Sequence, residues 1–218
     1  MREALQTEDG PAAALIIPAK PVQCVNRGAA VWGLYPNAFI TSRVAKMTIA
    51  VSLCERYSPE LHDPVPHPSY VITNSTGTWV DNVLVPLVQL GDDVPVSHSV
   101  QQEVSPVRDG QTTVNFVLFR LDTRMPPLQA GAPRTYVITD EVAQRAPPAL
   151  IAKHVREAAA VSRLTVNVGG GMIASTRATV SLFFGKTEIS AEAYSKQTGD
   201  RRNVTIDWSG GGLRASGA

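Results

Sequence analysis

The chain has 218 residues, 44% of them hydrophobic and 18% charged, which is ordinary globular composition and excludes a disordered or fibrous protein. Twenty basic and 19 acidic residues spread along the chain leave a formal charge of +1, so no electrostatic footprint suggests nucleic acid, an anionic membrane or an acidic substrate. Two cysteines, Cys24 and Cys54, are too few for a disulfide framework and lie in no C-x-x-C or zinc-ligand spacing, so the reading is free thiols in a reducing compartment.

Met1 to Gly10 carries Glu3, Glu8 and Asp9 where a secretory leader would have a basic region followed by an apolar run. No window reaches the roughly 18 apolar residues of a membrane span. The expectation is a cytoplasmic chain whose residues 1–20 are a flexible lead, and the glycosylation patterns at Asn74-Ser75-Thr76 and Asn203-Val204-Thr205 are read as chance. Val25, Ala29, Ala30 and Val31 then recur at helical spacing between Pro21 and Pro36, predicting a short helix to Leu34.

After Ile40 the period changes. Met47, Ile49, Val51 and Leu53 alternate with Thr48, Ala50, Ser52 and Cys54, predicting a strand with one buried face. Residues 55–68 hold four prolines and two histidines and read as a loop. Further strands are predicted at 69–73, 79–90, 94–104 and 112–121, with Gly91-Asp92-Asp93 and Arg108-Asp109-Gly110 as turns. A proline-rich interruption covers 123–147, and a helix is predicted over 148–161 from Leu150, Ile151, Val155, Ala158 and Ala159. A second β block follows at 164–168, 178–184, 187–194 and 203–208, with corners at Gly185-Lys186 and Thr198-Gly199-Asp200, and residues 209–218 form a glycine-rich tail expected to be disordered. Meanders of this kind close as an antiparallel β-sandwich, so the fold class is mainly β.

Catalytic signatures are weak. Gly185-Lys186-Thr187 resembles the end of a phosphate-binding loop, but the position five before Gly185 is Val180, and a hairpin turn is the better reading. Gly169-Gly170-Gly171 reads as a loop because no helix clearly starts after it. His62, His67, His98 and His154 include no H-E-x-x-H, no serine lies in G-x-S-x-G, and the pairs Asp92-Asp93 and Asp140-Glu141 sit in a turn and at a helix start. No metal site and no enzyme are expected.

A resemblance enters at Tyr194 to Ile206 (YSKQTGDRRNVTI), which is similar to the D-K-x-T-G-K-x-x-x-I-T-I segment of the 70-kDa heat-shock protein family. Ala178 to Phe184 and Gly185 to Ala193 resemble the family's I-E-V-T-F-D and G-I-L-N-V-S-A strands. Asn82 to Pro95 (NVLVPLVQLGDDVP) resembles G-V-M-T-x-L-I-x-R-N-T-T-I-P, and Asp109 to Leu118 resembles D-x-Q-x-x-V-x-I-x-V. Val25 to Val31 (VNRGAAV) is similar to A-V-A-x-G-A-A-V, the last helix of the family's ATPase domain, with Ile40 to Lys46 in the place of the interdomain linker. The run Gly28 to Pro36 (GAAVWGLYP) most resembles the divergent branch called heat shock 70 kDa protein 12, which also carries insertions, here at about 55–78 and 123–161.

The resemblance covers about residues 15 to 208 and implies a division into an ATPase-helix remnant at 21–36, a linker at 37–46 and a substrate-binding β-sandwich at 47–208. Val22 replaces the acidic residue expected just before the helix, and the phosphate-binding segments of the ATPase lie upstream of what Met1 begins, so ATP and magnesium are expected only for the full-length family and no cofactor for this chain. The implied function is a chaperone module that holds extended hydrophobic peptides of unfolded proteins, with main-chain hydrogen bonds and one apolar side chain in a pocket. Carried over, the pocket residues are Val51, Leu53 and Cys54 on one strand and Val114 and Phe116 on a later one, with Val104 and Val107 arching over the peptide. Phe116 stands where the family has an aliphatic residue and would make the pocket shallower. The rival reading for each position is plain sandwich core. For the whole chain the rivals are an interaction scaffold that keeps the fold without peptide capture, and an unrelated β-sandwich with a catalytic site. Val25, Val31 and Trp32 of the first helix imply packing on the sandwich or self-association.

Overall fold

The computed structural model describes residues 4–5, 13–14, 20–34, 41–96, 98–108, 110–126, 132–151, 154–156, 160–170, 176–184 and 188–206. The chain divides into two compact units, Met1–Thr41 and Ser42–Ala218. The predicted corner at Gly185-Lys186 and the tail at 209–218 lie outside the described residues, as do parts of the lead at 1–20 and of the helix predicted over 148–161.

In the first unit two short strands, β1 (Ala4–Leu5) and β2 (Ala13–Ala14), pair antiparallel, and α1 (Pro21–Leu34) spans the predicted range. Pro21 suits the first helical position because its missing N–H would be unpaired there anyway, and Pro36 disfavours helical backbone just past the end. Val22, Val25 and Leu34 of α1 are exposed.

The second unit is mainly β. Its larger sheet has the order β12-β9-β4-β6-β5, from β4 (Thr48–Arg56), β5 (Val71–Asn74), β6 (Gly77–Val88), β9 (Thr113–Leu121) and β12 (Ala160–Asn167). Its smaller sheet has the order β15-β14-β13-β8, from β8 (Ser99–Val104), β13 (Ala178–Phe184), β14 (Ile189–Ser195) and β15 (Arg201–Ile206). All these pairings are antiparallel. Ile49, Val51 and Leu53 share one core with Phe116, Leu118, Leu164 and Val166 of their own sheet and with Val180, Leu182, Ala191 and Val204 of the other. The strict alternation along β4 therefore faces one sheet with the other, and burial of that shared face is the main driving force for the pairing.

Several boundaries move for identifiable reasons. The strand predicted over 94–104 is two, β7 (Asp93–Pro95) and β8, because Pro95 has no N–H for a continuing ladder and its carbonyl instead accepts the His98 N–H at 3.0 Å in a turn. The linker predicted at 37–46 is partly strand: β3 (Ser42–Val44) pairs with β7. The loop predicted at 55–68 opens with the end of β4 and holds α2 (Pro59–His62), and Pro68–Tyr70 forms a 3-10 turn.

The second insertion holds β10 (Val137–Ile138), α3 (Asp140–Ala143), α4 (Pro148–Ile151) and β11 (Val155–Arg156). The helix predicted over 148–161 is thus corrected to one turn: Val155 and Arg156 pair in parallel with Val137 and Ile138, and Ala160 already belongs to β12. Tertiary strand pairing outweighs an alanine-rich helical pattern worth little in isolation. Among the described residues no helix is long and apolar enough to cross a membrane.

The two insertions meet on the larger sheet. Val137 and Met125 pack with Ala50, Leu84 and Phe119. Tyr70 and Tyr136 pack with Val80, Val83 and Ile138. The Leu84 N–H donates to the Thr135 carbonyl at 2.8 Å, the Tyr70 hydroxyl to the Val137 carbonyl at 2.8 Å, and the Arg134 guanidinium to Glu55 at 2.9 Å. His62 is buried beside the same Glu55 carboxylate, 3.4 Å from Nε2, and its Nδ1 accepts the Ser58 N–H.

Candidate functional site

Because β4 alternates, the residues between its core positions point to the opposite face of the larger sheet. Ala50 on that face is covered by Met125 and Val137, but Ser52 and Cys54 are not. The same happens on β9, where Phe119 is covered while Val117, Asn115 and Thr113 line an open cleft of about 500 Å³. Register carries the cleft across the sheet: Ser52 is paired with Val117, and Val117 with Arg163 of β12. On the other side Asp81 and Asn82 of β6 complete the lining. From β12 to β6 is three strand spacings, or about 14 Å, which is the reach of about four residues of extended chain. The volume falls within the roughly 300–1,000 Å³ typical of ligand sites.

A β-bulge shapes this floor. The β4–β6 register slips between Leu53 and Glu55, and Asn82 adopts φ 62°, a left-handed conformation that Asn tolerates better than most residues. The Asp81 carboxylate accepts the Asn82 N–H at 2.8 Å and holds the kink. The end wall is the last residue of β8, Val104, and the β8–β9 connection, contributing Ser105, Val107, Arg108 and Gln111. Gln111 pins it, its Oε1 accepting the Val107 N–H at 3.1 Å and its amide donating to the Thr113 carbonyl at 2.6 Å. The Asn74 amide donates to the Val107 carbonyl and ties the β5–β6 hairpin to the same loop.

Five of the residues predicted for a peptide pocket converge here: Leu53, Cys54, Val104, Val107 and Val114 all line the cleft. Val51 and Phe116 do not line it. Both are fully buried in the core between the sheets, Phe116 opposite Leu164, so Phe116 fills the interior and does not set the cleft's depth. Ser52, Asn115, Val117 and Arg163 were not foreseen. Their signal was the outward half of the alternation, polar except at Val117, which reads equally well as an ordinary solvent face.

Chemically the cleft sets hydrogen-bonding groups beside apolar ones. Burial pushes the Cys54 thiol up to about 12, with the Asp81 carboxylate adding to the effect and Arg108 opposing it, so at neutral pH it is a thiol and not a nucleophile. Among the described residues Ser52 and Ser105 share the lining with no histidine that would serve as base. Among the described residues no group of three His, Cys, Asp or Glu is placed to hold a metal ion. The histidines do other work: His62 packs beneath Tyr57, His98 stacks on Phe184, and His154 accepts the Tyr136 N–H. Neither a protein-family model nor a curated protein matches the chain.

Proposed function

We propose that this chain is a peptide-capture module of the 70-kDa heat-shock chaperone type, holding an extended apolar segment of an unfolded protein across the larger sheet. One observation carries the reading: Leu53, Cys54, Val104, Val107 and Val114, drawn from the three strands β4, β8 and β9 and from the β8–β9 connection, meet in one cleft about four extended residues long. Two antiparallel sheets over a shared core, with loops bounding a groove at one end, also agree with the sandwich that the sequence resemblance implies. Extended-peptide capture needs main-chain partners and a pocket for one side chain. The half-buried valines 104 and 107 supply an apolar wall, while Ser52, Asn82 and Asn115 supply hydrogen-bonding groups for peptide N–H and C=O. On this reading the chain acts on soluble partners without hydrolysing ATP itself.

The test is a titration of a fluorescently labelled, leucine-centred peptide. Saturable binding is expected, weakened at least tenfold by Ser52→Trp, which fills the floor. Lys196→Ala, in the turn after β14 and away from the cleft, should leave binding unchanged. Binding indifferent to Ser52→Trp would put the peptide elsewhere.

A further inference from the structure

The charges around the cleft are unbalanced. Arg108 on the β8–β9 connection and Arg163 on β12 both line it, both are exposed, and neither makes an ion pair among the described residues. Six of the other described arginines of this unit pair with carboxylates at 3.5 Å or more closely, as Arg124 does with Asp92 at 3.0 Å and Arg177 with Glu103 at 2.9 Å, while Arg43 and Arg56, away from the cleft, do not. Among the described residues the only acidic group in the lining is Asp81, and its Oδ1 is already accepting the Asn82 N–H. Two guanidiniums therefore stand against one engaged carboxylate.

Their places in the fold separate them. Arg163 is on β12, the outer strand of the larger sheet, where it sits opposite Val117. Arg108 is on the β8–β9 connection, which forms the end wall of the cleft. The same cleft holds the mixed floor of Ser52, Asn115 and Val117 and the apolar wall of Val104 and Val107.

We infer that the cleft selects apolar segments flanked by acidic side chains, with Arg108 and Arg163 each receiving a carboxylate and the apolar residue seated between them. Guanidinium suits this because its planar donors meet a carboxylate in a two-pronged contact. A flanking lysine would instead meet like charge at both ends, and a mismatch of sign discriminates as strongly as a new attraction. This selectivity rests on the peptide-capture reading.

Three peptides with one leucine-centred core, flanked by Glu, Gln or Lys, separate the two claims. The expected order of affinity is Glu over Gln over Lys, with Glu and Lys differing by roughly fivefold or more, the scale of two partly exposed ion pairs. In Arg108→Gln/Arg163→Gln the Glu-to-Lys ratio should collapse toward one. Both side chains are exposed, so the far-UV spectrum and melting temperature should be kept. Should the double variant fail to fold, the same ratio in the unaltered chain must shrink as salt rises from ~0.05 M to ~0.5 M, because screening shortens the range of these charges. Equal affinity for all three peptides overturns the acidic preference and leaves peptide capture standing. A Glu preference that survives in a folded double variant overturns the assignment to these two arginines. If no peptide binds, capture fails and the selectivity with it.

Discussion

Cys54 and Phe116 show what a single residue's surroundings decide. The thiol is half-buried next to Asp81, and burial raises its pKa from 9.0 to about 12. The neutral form is favoured in the folded chain, so above pH ~9 an unfolded chain sheds this proton while the folded one keeps it. Stability contributed by the thiol is therefore complete below that pH and lost as pH rises toward about 12. Denaturant unfolding of the unaltered chain and Cys54→Ala should converge or cross as pH is taken from ~8 to ~10.5, a window set by the two ends of that shift. At pH ~8 a thiol reagent should label exposed Cys24 well ahead of Cys54, and equal rates would contradict the burial.

Phe116 makes the opposite point. An alternating apolar residue on β9 reads as pocket or as core with equal ease, and 0% exposure opposite Leu164 makes it core. Phe116→Ala should cost roughly 3–5 kcal/mol of stability, measured by denaturant unfolding, while peptide affinity per folded molecule changes little. A large loss of affinity at unchanged stability would return Phe116 to the pocket.

Among the elements, β4 was legible and its bulge was not. The period-2 pattern at Ile49, Val51 and Leu53 gives the strand and its buried face directly. Nothing local announces that Asp81-Asn82 would sit opposite Cys54 with a register slip, because a bulge is a property of two paired strands. The same holds for the insertions. Their prolines read as interruptions, but the Glu55–Arg134 contact joins residues 79 apart, and only the folded register brings them together.

The bulge has a test of its own. Asn82→Gly keeps the left-handed backbone at φ 62°, whereas Asn82→Val forces a β-branched residue into it. The Val variant should lose roughly 1–3 kcal/mol and lose peptide affinity, with Gly close to the unaltered chain in both. Similar behaviour of the two would mean that the kink does not shape the cleft floor.

For the molecule as a whole, chain order and strand spacing carried most of the second unit, since nine strands with turn signals between them specify antiparallel sheets. The groove was only half legible: the resemblance supplied its apolar wall, while its polar floor emerged from which part of the outer face the insertions leave open. The missing glycine cradle before Gly185 gives a prediction at this scale. A ligand shifts peptide affinity only by binding two states of the protein differently. ATP with magnesium should therefore change the peptide affinity of this chain by less than tenfold, ~1.4 kcal/mol of coupling, in a titration run with and without nucleotide.

The central claim is the location of the peptide, and amide chemical-shift mapping of the isotope-labelled chain tests it most directly. Titration with the Glu-flanked, leucine-centred peptide should give saturating shifts at Ser52, Cys54, Asn115, Val117 and Val107, the floor and wall of the cleft. Shifts confined to other surfaces, such as Leu87, Val94 and Val100 around the smaller cavity of about 310 Å³, or no shifts at all, would contradict it.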